Sequence, residues 1–167
     1  MFNEDENEIT EEVGSDELLA ADELRLPAGA SMLVRLHAMR AWLQRRHAES
    51  DLEVGQAALS LQMAMSVTET EVRPRRRFAQ SENPTQHAQE MLSKAQQRLS
   101  AYEEASALLE DLLAHTTASE RLLVEYYLAL EEMVQAADAP DDSPWLEVML
   151  DVMQRVEQVG TPDEDEE

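Results

Sequence analysis

From Pro84 to His115 the chain runs for more than thirty residues with no glycine or proline beyond its first position. Along that stretch Ala88, Leu92, Ala95, Leu99, Tyr102, Ser106, Leu109 and Leu113 recur at alternating spacings of four and three. This is the period of a helix with one apolar seam, the a/d pattern of a coiled coil. Asn83-Pro84-Thr85-Gln86 supplies the start, with asparagine as cap, proline at the first position and glutamine at the third. A helix over about 84–115 would span roughly 45 Å, and everything else in the chain has to be arranged around it. Two alanines and a serine among the eight seam positions make its grip shallow.

Downstream, Thr117-Ala118-Ser119-Glu120 forms a capping box ahead of Leu122, Leu123, Tyr126, Tyr127, Leu130, Met133, Val134 and Ala137. Pro140 ends that helix. Ser143-Pro144 opens another, with Trp145, Leu146, Met149, Val152, Met153 and Val156 as its stripe. The short connections predict antiparallel neighbours. Upstream, Ser31 begins an amphipathic stretch through Met32, Leu36, Met39, Trp42 and Leu43, and Ser50-Asp51 either punctuates it or is absorbed. Leu52 to Val67 is a further apolar segment. Within it Leu59, Leu61, Met63, Met65 and Val67 alternate strictly with smaller or polar residues, the period of a half-buried strand. Its alanine, leucine, glutamine and methionine are helix formers, and no second strand is available to pair with it, so helix is preferred. A short helix is also expected from Ser15 through Leu24, broken at Leu26-Pro27-Ala28-Gly29.

The expected architecture is all-α: a mostly antiparallel bundle of five to six helices around the long 84–115 helix, forming a single domain over 15–160. A basic linker at 69–83 interrupts it. Residues 1–14 and 161–167 read as disordered acidic tails.

Charge limits the function classes. The 167 residues carry 36 Asp and Glu against 13 Lys and Arg, a formal net charge of −23. The exception is the middle of the chain, which holds Arg35, Arg40, Arg45 and Arg46 and then the run Arg73-Pro74-Arg75-Arg76-Arg77. With no cysteine, disulfides, thiolate metal sites and cysteine nucleophiles are excluded. The amino terminus is acidic and lacks an apolar h-region, and no apolar run approaches the roughly 18 residues of a membrane span. A cytoplasmic protein that makes no use of the membrane is expected.

No catalytic, cofactor-binding or metal site emerges. The four glycines are dispersed, so no phosphate-cradling loop exists. Asp111 with His115, and His87 with Glu90, are each half of a carboxylate–imidazole pair, but three or four converging ligands are needed to hold a metal. A small-molecule substrate is not expected, and neither is enzymatic activity.

What remains is binding. The first expectation is a helical interaction protein, such as an adaptor, assembly chaperone or accessory subunit, that engages a protein partner (itself or another) through apolar helix faces. Leu92, Leu99, Tyr102, Leu109, Leu113, Met63 and Met65 are the candidate apolar interface. The second is a helical subunit of a nucleoprotein complex touching phosphates through Arg35, Arg40, Arg45, Arg46, Arg73, Arg75, Arg76 and Arg77. In the first reading the arginine segment is an electrostatic contact to the protein partner, and the run Arg73 to Arg77 is read in preference as docking on an acidic tail or helix face of its own chain. The third is an acidic mimic of nucleic acid.

Overall fold

The computed structural model describes residue 26 and residues 29–70, 83–116 and 120–160. These hold four α-helices and no strand: α1 (Met32–Thr70), α2 (Pro84–His115), α3 (Glu120–Ala137) and α4 (Pro144–Gly160). The expected tails, the helix from Ser15, the capping residues Thr117 to Ser119 and the run Arg73 to Arg77 lie outside the described residues.

The all-α expectation holds, but the count of five to six helices does not, and four are described. One reason is local. Ser50-Asp51 does not divide the first amphipathic stretch from the second, because neither residue removes a backbone donor or clashes with the preceding turn as proline would. α1 runs through it as a single helix, with Ser50 itself buried. The alternation between Leu59 and Val67 also lies on this helix. Leu61 and Ala64 are half-buried on the side toward α2, while Leu59 and Met63 are exposed. Apolar residues on two sides of one helix read as alternation along the chain. Ser60 and Ser66 keep their hydroxyls satisfied by donating to the carbonyls of Gln56 and Gln62, at 3.0 and 2.9 Å.

The helix ends follow the local chemistry. Asn83 is extended, and its side chain accepts from the backbone N–H of Thr85 at 3.1 Å, so α2 starts where its cap signal lies. α1 is entered through Gly29, whose φ of +75° is a conformation that costs glycine little. α3 stops at Ala137 because Asp138 turns left-handed, at φ +46°, and Pro140 follows.

Contacts between the helices fix their directions. Along α1, Arg40 meets Glu110, His47 meets Glu103 and Glu53 meets Arg98 of α2, so the two helices are antiparallel in a constant register. Arg35 near the start of α1 donates to the Val159 carbonyl at the end of α4, and Arg155 lies over Trp42, so α4 is also antiparallel to α1. Tyr126 of α3 donates to the Ala105 carbonyl of α2, and Leu123 of α3 shares a groove with Gly160 of α4. The chain therefore goes up, down, up, down. α2 touches all three other helices.

One continuous core fills the space between them. Met39, Trp42 and Leu43 from α1, Ala101, Ala105 and Leu109 from α2, Leu122, Tyr126 and Leu130 from α3, and Met149, Val152 and Val159 from α4 are almost completely buried. Trp42 sits near its middle, edge-on to Tyr102 with ring centroids 6.3 Å apart. Arg46 and Arg155 each place a guanidinium over the indole, 5.7 and 5.5 Å from its centroid.

Candidate interaction surface

The four helices differ in length. α1 and α2 have 39 and 32 residues, about 58 and 48 Å, whereas α3 and α4 have 18 and 17, about 27 and 26 Å. The short helices cover only one end of the long pair. Beyond Ser50 on α1 and before roughly Arg98 on α2, the long helices continue as a two-helix arm of about 25 Å. Between Asp51 and Val67 no residue of α1 is fully buried, and in the matching part of α2 only Ala88 and Ala95 are.

The arm's two helices meet through small side chains. Ala57 and Ala64 of α1 face Ala88 and Ala95 of α2, with Val54 and Leu61 half-buried nearby. Small residues bring the helices close but do not seal the flank. A trough of about 610 Å³ runs along it, lined by Gln56, Ala57, Ser60 and Ala64 on one side and by His87, Ala88, Met91 and Ala95 on the other.

The outward side of the arm is apolar. Leu52, Leu59 and Met63 are spaced seven and four apart and so share a face of α1 turned away from α2, and they are 63, 61 and 70 % exposed. Met65, Val67 and, on α2, Met91 are also exposed. From Val54 to Val67 and again from Asn83 to Gln89 there is no Asp, Glu, Lys or Arg. In a chain of net charge −23 the run 54–68 is the longest stretch without a charged residue. Isolated exposed apolar residues are ordinary, but a contiguous uncharged apolar stripe is the usual mark of an interaction site.

The candidate apolar residues divide accordingly. Tyr102 and Leu109 are buried in the core, and Leu92, Leu99 and Leu113 are half-buried. The seam of α2 is thus largely taken up inside the chain, by α1 along its whole length and by α3 and α4 in the body. Burial pushes the Tyr102 hydroxyl above its ordinary pKa, against the opposing influence of the Arg46 charge. Met63 and Met65, by contrast, stand exposed on the arm. The sequence reading missed Leu52, Leu59 and Met91. The signal was present, since fifteen residues from Val54 to Thr68 carry no charge and α1 is far longer than the helices that cover it.

The described arginines do mainly structural work. Arg35 donates to the carbonyls of Ala30 at 3.0 Å and Val159 at 2.7 Å, where it neutralises the negative end of α4. Arg40 is paired with Glu110, donating from its Nη2 at 2.9 Å. Arg46 pairs with Glu49 at 3.2 Å as well as covering Trp42. Arg45 is exposed.

His115 pairs with Asp111 at 3.3 Å on its own helix turn, and His47 with Glu103 at 3.4 Å across to α2. Among the described residues no three His, Asp or Glu side chains converge for a metal ion. No described helix is long and apolar enough to cross a membrane. Searches with the sequence and the fold find no matching protein family, characterised protein or solved structure.

Proposed function

We propose that the protein is a non-enzymatic helical interaction protein, an adaptor, assembly chaperone or accessory subunit, whose binding element is the two-helix arm. A compact, acidic four-helix body holds the arm by its base and keeps it in solution. The observation that carries this reading is the apolar pair Leu59 and Met63, exposed within the uncharged run 54–68 of a strongly acidic chain.

Methionine and leucine on such a face suit a protein partner, because they adapt to the partner's shape without needing aligned hydrogen bonds. The second expectation, contact with nucleic-acid phosphates, loses Arg35, Arg40 and Arg46 to internal partners, and the long-range field of the acidic body opposes it.

Affinity capture from the native host tests the proposal, comparing the wild-type chain with Leu59→Glu/Met63→Glu. The expected result is a partner recovered with the wild type and lost with the double variant, while circular dichroism and melting of the two match. A control with Leu33→Glu on the body should retain the partner. Equal recovery by wild type and double variant would refute the arm as the binding element.

A further inference from the structure

The arm holds both halves of an interface that fits itself, and we infer that its outer face is the dimerisation surface of the protein, occupied by the arm of a second copy in antiparallel orientation. This rests on the reading of the arm as the binding element and names its partner.

The first argument is electrostatic. Two chains of net charge −23 repel wherever their bodies meet. The stretches 54–67 and 83–89 hold no Asp, Glu, Lys or Arg, so here two copies can approach without placing like charges in contact. An antiparallel crossing of the two arms also leaves the bodies at opposite ends. A parallel one would set them side by side. Charge therefore favours the arm, which holds the longest uncharged run, and selects the antiparallel orientation.

The second argument is shape. Leu59 and Met63 project from α1, and Gly55 lies one turn before Leu59 on the same side. A two-fold interface brings a patch against its own copy, so projections need recesses on the same element. With the axis at Leu59, Met63 of one copy falls opposite Gly55 of the other. At Gly55 the space a side chain would take is open, with nothing within 4 Å of an added Cβ. Two arms joined this way pack α1 of one copy against α1 of the other and cover the side of α1 turned away from α2.

Sedimentation equilibrium of the full chain is the primary test. The expected result is a reversible dimer that tightens as salt is raised, because screening removes the repulsion between bodies. Leu59→Glu/Met63→Glu should raise the dissociation constant at least about 30-fold, as for loss of a central hot spot. Orientation is read by single cysteines, which the native chain lacks. Leu59→Cys lies on the axis and should oxidise rapidly to a disulfide-linked dimer, while Leu33→Cys, likewise exposed but on the body, should not.

A wild-type chain that stays monomeric at near-millimolar concentration overturns the inference. If host capture still depends on Leu59 and Met63, the arm remains the binding element for another protein, and only the second copy is lost. A Leu59→Cys variant that is monomeric and whose thiol resists alkylation also overturns it, and assigns the face to another segment of the same chain. A dimer that survives the double variant, or that crosslinks equally through Leu33→Cys and Leu59→Cys, overturns it by placing the contact elsewhere.

Discussion

The body and the arm are built from the same two helices, yet they use them in opposite ways. In the body, Met32 to Ser50 of α1 and Arg98 to His115 of α2 are covered by α3 and α4, and each contributes large side chains to a closed core. In the arm the same helices continue with small residues at their contact and large ones facing outward. A helix pair closed over alanine buries little area, so the arm draws its order from continuity with the body. The body supplies stability, and the arm supplies surface. That division predicts that substitutions of similar chemistry will have very different consequences on either side of Ser50.

The largest expected effect is in the body. Trp42 is 2 % exposed, touches Tyr102 edge-on and lies under two guanidinium groups. Trp42→Ala removes all of these at once and leaves a cavity between α1, α2 and α4, so it should destabilise by about 3–5 kcal/mol. Urea unfolding followed by far-ultraviolet circular dichroism gives the value. A loss below about 1 kcal/mol would mean that the body is not the stabilising region.

Much of the body was legible beforehand, because its signals are local. Asn83-Pro84 marks the start of α2, Pro140 follows the end of α3, and Ser143-Pro144 opens α4, each by the hydrogen-bonding chemistry of a few neighbouring residues. The core positions follow from helical period. The arm was hard to read because its definition is not local. Whether Leu59 or Leu61 is covered depends on how far α3 and α4 extend along α1, which no short window of sequence contains. The same limit applies to the arginines. Arg40 and Arg46 read as a basic patch in order along the chain, and only the register of α1 against α2 shows that Glu110 lies opposite Arg40. Arg35 is engaged by carbonyls 5 and 124 residues away, a pairing without any trace in composition.

An intermediate effect is expected at Tyr126. Its hydroxyl is buried and donates to the Ala105 carbonyl at 2.8 Å, tying α3 to α2. Tyr126→Phe should cost about 1–2 kcal/mol at neutral pH. Burial also holds its pKa well above the ordinary tyrosine value of 10.0. In the unfolded chain the hydroxyl releases its proton near pH 10, whereas in the folded chain it retains it. Its contribution to stability is therefore fully present below pH 10 and declines as pH rises beyond it. Tyr102 is shifted in the same direction. The chain contains a single lysine, Lys94, so few other groups titrate in that range. Urea midpoints measured from pH 8 to 11 should fall for the wild type, and fall less for Tyr126→Phe. Identical slopes would show that the hydroxyl is hydrated in the folded state.

The smallest effect on folding is expected in the arm, and it gives the sharpest form of the comparison. Leu59 and Leu43 lie on the same helix, sixteen residues apart, but Leu43 is 1 % exposed and Leu59 61 %. Leu43→Ser buries an unpaired hydroxyl in the core and belongs with the Trp42 class of change. Leu59→Ser places serine where water already reaches the side chain, so stability measured at low protein concentration should change by less than about 0.5 kcal/mol. The concentration matters, because any association through this face adds to apparent stability by mass action. Repeating the measurement at high concentration separates the two contributions. A wild-type advantage that appears only there belongs to binding, whereas one already present at high dilution would mean that Leu59 is covered by its own chain and that the arm is part of the fold.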